Sequence, residues 1–238
     1  MSTKFSVAIA TENTHGYVAL IPDIKCYAPK DGDLLNGRDP VEVSKRLIQC
    51  GAPALSVVTK REHFGGSPKL LREIAKSTGM PILRKDFITS ADMLAETAEL
   101  GAVAVLLICA ITDEKTLGRL YEKALAIGLE PLVEVHSASE MKFANKLGAR
   151  LIGINNRDIT VLECDDGRPS LTATLADMVP ADTMIISESG ISSAEEAKQV
   201  VSAGAHAILV GTALWRARDM EAAYRLLRVE RNSACCQQ

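Results

Sequence analysis

A closed (β/α)8 barrel, the α/β architecture of the TIM barrels, is the fold this sequence predicts, on three observations. Short runs rich in β-branched residues alternate with longer amphipathic stretches eight times along the chain. The short runs are apolar throughout rather than at every second position, as parallel strands covered on both faces are. Polar residues collect where those runs end, and in a barrel the eight strand ends form one mouth. The length, 238 residues, suits a single such domain.

The candidate strands are residues 18–24, 54–59, 81–85, 104–109, 131–135, 151–154, 184–187 and 207–210. Helical patterns lie between them. Residues 40–49 follow the cap candidate Asp39 and residues 68–77 follow Ser67, each with proline at the first helical position. The patterns at 90–100, 114–127, 138–147 and 193–203 each end on glycine (Gly101, Gly128, Gly148 and Gly204). The segment after Asn155 is the least regular, with 171–178 as its candidate helix, and 219–227 closes the series. The residues ahead of the first strand show no helical pattern. Residues 1–228 are therefore expected to form the barrel with a short N-terminal extension, and 229–238 a polar, disordered tail. Periodicity alone leaves an open doubly wound sheet as the alternative to closure.

A 47% hydrophobic fraction is enough for a large core, and a net charge of -3 spread along the chain argues against a nucleic-acid surface. No apolar run approaches the ~20 residues of a membrane span, and the N-terminus lacks a charged start followed by an apolar stretch, so no secretory signal is read. The six cysteines show no paired metal-ligand spacing. Cys50 and Cys109 fall in apolar segments and Cys235-Cys236 in the polar tail, as expected of a protein in a reducing cytoplasm. No metal, cofactor, nucleic-acid or membrane partner is expected, and a monomer is favoured.

The polar residues at strand ends are Asp23, Lys25, Lys85, Glu134, Asn155 and Glu188. So many charges half-buried at one rim would be unfavourable without a ligand to satisfy them. Ser187-Glu188-Ser189-Gly190 and Val210-Gly211-Thr212-Ala213 follow the last two strands and precede helical patterns. Glycine lets backbone approach a ligand, free N–H groups at helix starts attract anions, and loops after strands seven and eight recur as phosphate sites in this architecture. Gly190, Gly211 and Thr212 are thus candidate phosphate contacts; the plain alternative is a pair of tight turns. His136 follows a strand end and is ambiguous, whereas His15, His63 and His206 are expected at structural or surface positions.

Five motifs carry a resemblance: Pro22-Asp23-Ile24-Lys25, Leu83-Arg84-Lys85-Asp86-Phe87-Ile88, Leu132-Val133-Glu134-Val135-His136, Ile152-Gly153-Ile154-Asn155-Asn156-Arg157-Asp158 and Ser187-Glu188-Ser189-Gly190-Ile191. In this order along the chain, at the ends of five of the eight strands, they resemble the indole-3-glycerol-phosphate synthase family, over about residues 21–227. The resemblance implies ring closure, decarboxylation and dehydration of 1-(2-carboxyphenylamino)-1-deoxyribulose 5-phosphate in tryptophan biosynthesis, without a cofactor. Lys85 matches the general acid, Glu134 the base of the dehydration, and Lys25 a lysine that reaches the substrate and can also donate a proton. Asp23, Asn155 and Ser189 match polar residues at the reacting centre, with Ser189 also in the phosphate cradle. Arg157 matches the cation facing the anthranilate carboxylate. Phe64, Phe87, Leu106, Ile159 and Leu209 match the apolar walls, and Glu188 stands with the substrate-contacting positions.

The chain departs from the family at three places. Asp23 stands where a glutamate is usual, shortening the carboxylate's reach, and a misplacement of ~1 Å can lower a rate on the order of a hundredfold. Ala28 lacks a hydroxyl expected to help bind the substrate carboxylate. The N-terminal extension is shorter than the basic, helical one that covers the mouth in the family. The stretch 160–170, with its Asp165-Asp166-Gly167-Arg168-Pro169 turn, is expected to be a mobile loop near the site. Asp23 and Ala28 leave open a paralogue acting on a ring-substituted anthranilate derivative in specialised indole metabolism. A non-catalytic phosphate-binding barrel, in which Lys85 and Glu134 merely plug the mouth, is the third possibility.

Overall fold

The computed structural model describes residues 4–157 and 169–231. Eight parallel strands close into a barrel in sequence order. They are β1 (Ala19–Ile24), β2 (Leu55–Val58), β3 (Ile82–Lys85), β4 (Ala104–Ile108), β5 (Glu130–Val135), β6 (Leu151–Asn155), β7 (Met184–Glu188) and β8 (Ala207–Val210). β8 pairs back onto β1, with Ile21 beside Leu209. That pairing excludes the open sheet. The strands agree with expectation to within a residue or two at their ends.

The outer layer is made by α2 (Pro40–Gln49), α3 (Pro68–Thr78), α4 (Ala91–Glu99), α5 (Glu114–Ala126), α6 (Ala138–Leu147), α7 (Ser170–Ala176), α8 (Ala194–Ser202) and α10 (Met220–Leu227), after α1 (Phe5–Thr14) and with the short α9 (Thr212–Arg216) behind β8. Their starts are set by side-chain caps. Asp39 accepts from Val41 N–H, Ser90 from Met93 N–H and Asp113 from Thr116 N–H, and Ser193 forms a full capping box with Glu196. A small antiparallel ribbon, Tyr27–Ala28 with Gly32–Asp33, follows β1 and was not expected.

Two cores result from strand alternation. Residues such as Leu20, Val57, Val105, Val133, Ile152 and Ile208 face outward and pack under the helices. Their neighbours Ile21, Leu83, Leu106, Leu132, Ile186 and Leu209 fill the barrel lumen. Cys50 and Cys109 are half-buried against the outer core rather than fully within it.

The N-terminal extension corrects the sequence expectation, because residues 5–14 are helical. Its buried face is Phe5, Ala8, Ile9, Glu12 and Asn13, a helical spacing that hydrophobicity hides: two members are polar, while Val7 is 48% exposed. Glu12 is held there by Arg228, at 2.6 Å from Nη2 to Oε1. The helix does not cover the mouth. Phe5, Ala8 and Ile9 join the lumen core with Ala19, Ala54, Ala104 and Ala207, small residues at or next to the strand starts. Ser6 N–H donates to Glu130 at the start of β5, 3.2 Å away. α1 therefore seals the end of the barrel opposite the mouth.

The start of the expected disordered tail is a correction: residues 229–231 are ordered, because they pair with the extension. Val18 N–H donates to Val229 O at 2.9 Å, and Arg231 N–H to Gly16 O at 2.8 Å. Asp158, Ile159, most of the 160–170 stretch, and Cys235-Cys236 lie outside the described residues.

Because Phe5 is fully buried in the lumen core, Phe5→Ala should destabilise the fold by ~3–5 kcal/mol. Denaturant unfolding checks this, and a loss below ~1 kcal/mol would be incompatible with α1 as the seal.

Candidate active site

The inward positions of the odd-numbered strands change character at one level. Ile21, Leu83, Leu132 and Ile186 are apolar and buried. Two residues further on, the same inward face carries Asp23, Lys85, Glu134 and Glu188. A (β/α)8 barrel stacks its lumen in layers contributed by alternate strands, so these four form one charged layer upon an apolar one. Glu134 and Glu188 are fully buried, and Asp23 is 4% exposed.

Lys85 holds the layer together. Its Nζ donates to Glu188 Oε2 at 3.1 Å and lies 3.5 Å from Glu134 Oε2. Burying two carboxylates is strongly unfavourable unless they are paired and hydrogen-bonded, and one ammonium serves both. Burial pushes the Glu188 carboxyl up to about 7; the Lys85 ammonium opposes this, and the charges of Glu134 and Asp23 add to it. Among the described residues, Glu134 Oε1, Glu188 Oε1 and Asn155 Nδ2 are buried without a hydrogen-bond partner. Such groups are expected where a polar ligand completes the site.

Glu188 depends on a residue the sequence reasoning passed over. A Cβ on Gly153, the inward residue of β6, would collide with Glu188 Oε1. The signal for this in the sequence is a glycine inside a strand, Ile152-Gly153-Ile154, which marks close approach by another group.

Asp23 is fixed from two sides: Ser56 Oγ donates to its Oδ1 at 2.6 Å, and its backbone carbonyl accepts from Trp215 Nε1 at 2.9 Å. A Cβ on Gly211 would stand 3.2 Å from Asp23 Cβ and 3.3 Å from its Oδ2. A side chain at Gly211 would therefore crowd Asp23, where the β8 loop meets the end of β1. Ala28 packs its methyl group into the outer core, 3% exposed, and is not among the residues lining the mouth.

A cavity of about 380 Å³ opens over the charged layer. Asp23, Lys25, Lys85 and Arg157 line one part of it, and Ser189, Gly190, Leu209, Gly211 and Thr212 another. Lys25 lies 4.9 Å from the centre of the Phe64 ring, and Phe64 meets Phe87 edge-on at 6.4 Å. These rings form a second, narrow pocket with Leu106 and Lys60. Of the residues expected at the site, Asn155 is fully buried, with its Oδ1 accepting from Arg157 N–H at 3.1 Å. Ile159 lies outside the described residues.

Ser189 and Gly190 both have positive φ, 63° and 68°, which turns the chain sharply after β7. Asn156 fixes this turn. Its Nδ2 donates to Glu188 O at 2.8 Å, Ser189 O at 3.0 Å and Ser187 Oγ at 3.1 Å, while its Oδ1 accepts from Thr172 Oγ1 at 3.0 Å. Sequence reasoning singled out Asn155 and not its neighbour, though a second buried amide at a strand end was a visible signal. Arg84 points away from the lumen to Thr59 (2.9 Å), Thr97 (3.1 Å) and Asp86 (3.2 Å), pinning β3 to α4. His206 is structural, its Nδ1 accepting from Ile185 N–H at 3.1 Å. His136 lies behind the mouth rather than in it, its Nε2 3.4 Å from Glu134 Oε1, and it lines neither pocket.

Comparison with known proteins agrees along the whole barrel. The family described as Indole-3-glycerol phosphate synthase matches residues 2–227. A relative of that name from Pyrococcus furiosus is 46% identical over 200 residues, covering 84% of this chain and 87% of its own. One from Listeria monocytogenes is 42% identical over 212 residues, covering 89% and 82%. One from Carboxydothermus hydrogenoformans is 40% identical over 221 residues, covering 92% and 83%.

The raised Glu188 carboxyl has a consequence for stability. Between its ordinary value of 4.5 and about 7 the folded chain keeps a proton that the unfolded chain has released. Stability therefore falls as pH rises through that window. Glu188→Gln removes the loss, so the variant should gain stability relative to the unaltered protein as pH rises from 5 to 8. Thermal unfolding at both ends of that range reads it; a stability difference independent of pH would mean that Glu188 titrates normally.

Proposed function

We propose, from the premise that this chain belongs to the indole-3-glycerol phosphate synthase family and is a decarboxylating lyase of tryptophan biosynthesis, that the charged layer of the odd strands is its acid–base machinery. The observation that carries this is Lys85, set between Glu134 and Glu188 and facing the mouth cavity.

The reaction makes a carbon–carbon bond from the carboxylate-bearing ring carbon to a ketone carbon. Lys85 protonates the ketone oxygen as the bond forms, which stabilises the developing charge. Carbon dioxide then leaves, and its bonding electrons restore the aromatic ring. In the dehydration, the hydroxyl departs as water with a second proton, and Glu134 removes a proton from the methylene carbon beside the nitrogen. Lys25, above the Phe64 ring, is the second cation in reach of the substrate and an alternative donor. Arg157 takes the ring carboxylate, and Phe64, Phe87, Leu106, Ile159 and Leu209 enclose the ring. Asn155 and Glu188 orient the polar middle of the substrate.

The phosphate lies against Ser189, Gly190, Gly211 and Thr212. The φ angles of 63° and 68° at Ser189 and Gly190, and the position of Gly211 at the start of α9, support this, since such turned backbone presents N–H groups to an anion. Residues 1–228 act as one catalytic domain, and the chain works as a cytoplasmic monomer; the free thiols of Cys26, Cys50 and Cys109 are compatible with a reducing compartment.

Turnover of the phosphorylated precursor, followed by the fluorescence of the indole product, tests the function directly. Lys85→Met should abolish turnover and also lower stability, since it leaves Glu134 and Glu188 without their shared cation; near-normal turnover in the folded variant would remove Lys85 from the mechanism.

Asp23 makes a separate prediction. Its carboxylate already rests on Ser56 Oγ at 2.6 Å and against Gly211. A longer side chain must give up that hydrogen bond or crowd the β8 loop, so Asp23→Glu should lower the rate by about tenfold, ~1.4 kcal/mol in the barrier. A gain confined to the ordinary precursor, not shared by a ring-substituted one, would instead favour the paralogue with an altered substrate.

A further inference from the structure

Proton balance poses a question that the charged layer alone does not answer. The substrate's carboxylate leaves as neutral carbon dioxide, so each turnover must take up one proton from solvent. Two protons are donated, to the ketone oxygen and to the departing hydroxyl, and only one is recovered from carbon. Glu134 is fully buried, and Lys85 opens toward the two adjoining pockets of the mouth, which the substrate's polar part and ring would fill.

We propose that His136 and Glu140 form a side path that delivers this proton to Glu134, a role that rests on Glu134 and Lys85 being the base and the acid. The three residues form a line of rising exposure: side chains of Glu134, His136 and Glu140 are 0%, 14% and 24% exposed. His136 Nε2 lies 3.4 Å from Glu134 Oε1, and its Nδ1 lies 3.4 Å from Glu140 Oε2. Neither contact is aligned as a hydrogen bond, and catalytic hydrogen bonds are often long or poorly aligned until substrate binds. Helix capping explains part of the arrangement, because Glu140 Oε2 accepts the backbone N–H of His136 at 2.6 Å and Ser137 caps α6. It does not explain why the imidazole is placed between two carboxylates with both ring nitrogens buried.

The transfers balance. Glu140 takes a proton from water and passes it to His136 Nδ1. The imidazolium releases its Nε2 proton to Glu134 Oε1, rotation of the Glu134 carboxyl carries that proton to the side facing Lys85, and neutral Lys85 takes it and is recharged as the acid. His136, left protonated on Nδ1, swings toward solvent and exchanges with water to regain the Nε2–H form before the next turnover. Glu134 is then ionised and able to take the proton from carbon, which in turn follows the same short step to Lys85. The cycle closes with one proton drawn from solvent. His136 touches no reacting atom; it is a positioning residue that acts through Glu134.

The groups facing His136 are Glu134 from β5, Glu188 from β7 and Glu140 from α6. Burial lowers its proton affinity, but contact with Glu140 and the charges of Glu134, Glu140 and Glu188 outweigh this and raise it above the ordinary value. Cys109, nearby, is pushed up to about 12 by burial and then by Glu140 and Glu134, so it stays a thiol and offers no competing route.

Steady-state kinetics of His136→Asn and Glu140→Gln test the path. Both should lower kcat about tenfold with KM little changed, raise the solvent deuterium isotope effect, and flatten the neutral limb of the pH–rate profile. Added imidazole should restore most of the rate to His136→Asn. Unchanged kcat in Glu140→Gln, or a fall in His136→Asn that imidazole does not relieve, would overturn the relay. Should His136→Asn fold poorly, Glu140→Gln with its isotope effect still decides. Glu134→Gln separates the two levels: if it turns over normally, the acid–base assignment itself falls, whereas an inactive Glu134→Gln beside a normal Glu140→Gln removes only the relay.

Discussion

Glu134 and Glu188 approach the same point in the barrel lumen from β5 and β7, both out of contact with water, and Lys85 lies between them. Nothing else in the mouth makes sense without that shared ammonium. Two carboxylates at such burial repel each other and have lost their hydration. The lysine compensates only in part, which is why Glu188 remains shifted upward to about 7. A stability-driven sequence would place apolar residues in this layer, as it does one level below with Ile21, Leu83, Leu132 and Ile186. Perturbed groups concentrated in one cleft are the physical mark of a working site.

Several features far apart in sequence exist to let that interaction form. Gly153 leaves the space that the Glu188 carboxylate occupies. Ser56 turns Asp23 to one side, and Gly211 allows the β8 loop to lie against it. Asn156 fixes the turn by which the chain leaves Glu188 for Ser189 and Gly190, so the turn proposed to hold phosphate and the residue that pairs with Lys85 are held by one amide. At the opposite end, α1 fills the lumen between small residues, keeping water from reaching the charged layer from below. The closed sheet makes these positions rigid, which suits a site where small misplacements are expensive in rate.

Much of this could be read from residues alone. The strands were recoverable because parallel strands buried on both faces leave unbroken apolar runs, and the mouth because Lys85, Glu134 and Glu188 interrupt those runs at their C-terminal ends. What escaped did so for identifiable reasons. α1 buries Glu12 and Asn13 and exposes Val7, so its helical periodicity exists in burial and not in hydrophobicity. Gly153 and Asn156 act through space, on partners that only closure of the barrel brings near. His136 was ambiguous because its role depends on Glu140, four residues later in the next helix, folding back toward it. The ribbon after β1 is too short to carry any periodicity at all.

Burial, only partly offset by Lys85, holds Glu188 in the range where it exchanges protons near neutrality. Carbon-13 NMR titration of the glutamate carboxyls measures this most directly, with the Glu188 resonance identified by its loss in Glu188→Gln. A midpoint near 7 is expected for Glu188 in the unaltered protein. A midpoint near the ordinary value of 4.5 would contradict it, because the carboxylate would then be adequately solvated or fully paired and the charged layer would carry no stored electrostatic imbalance.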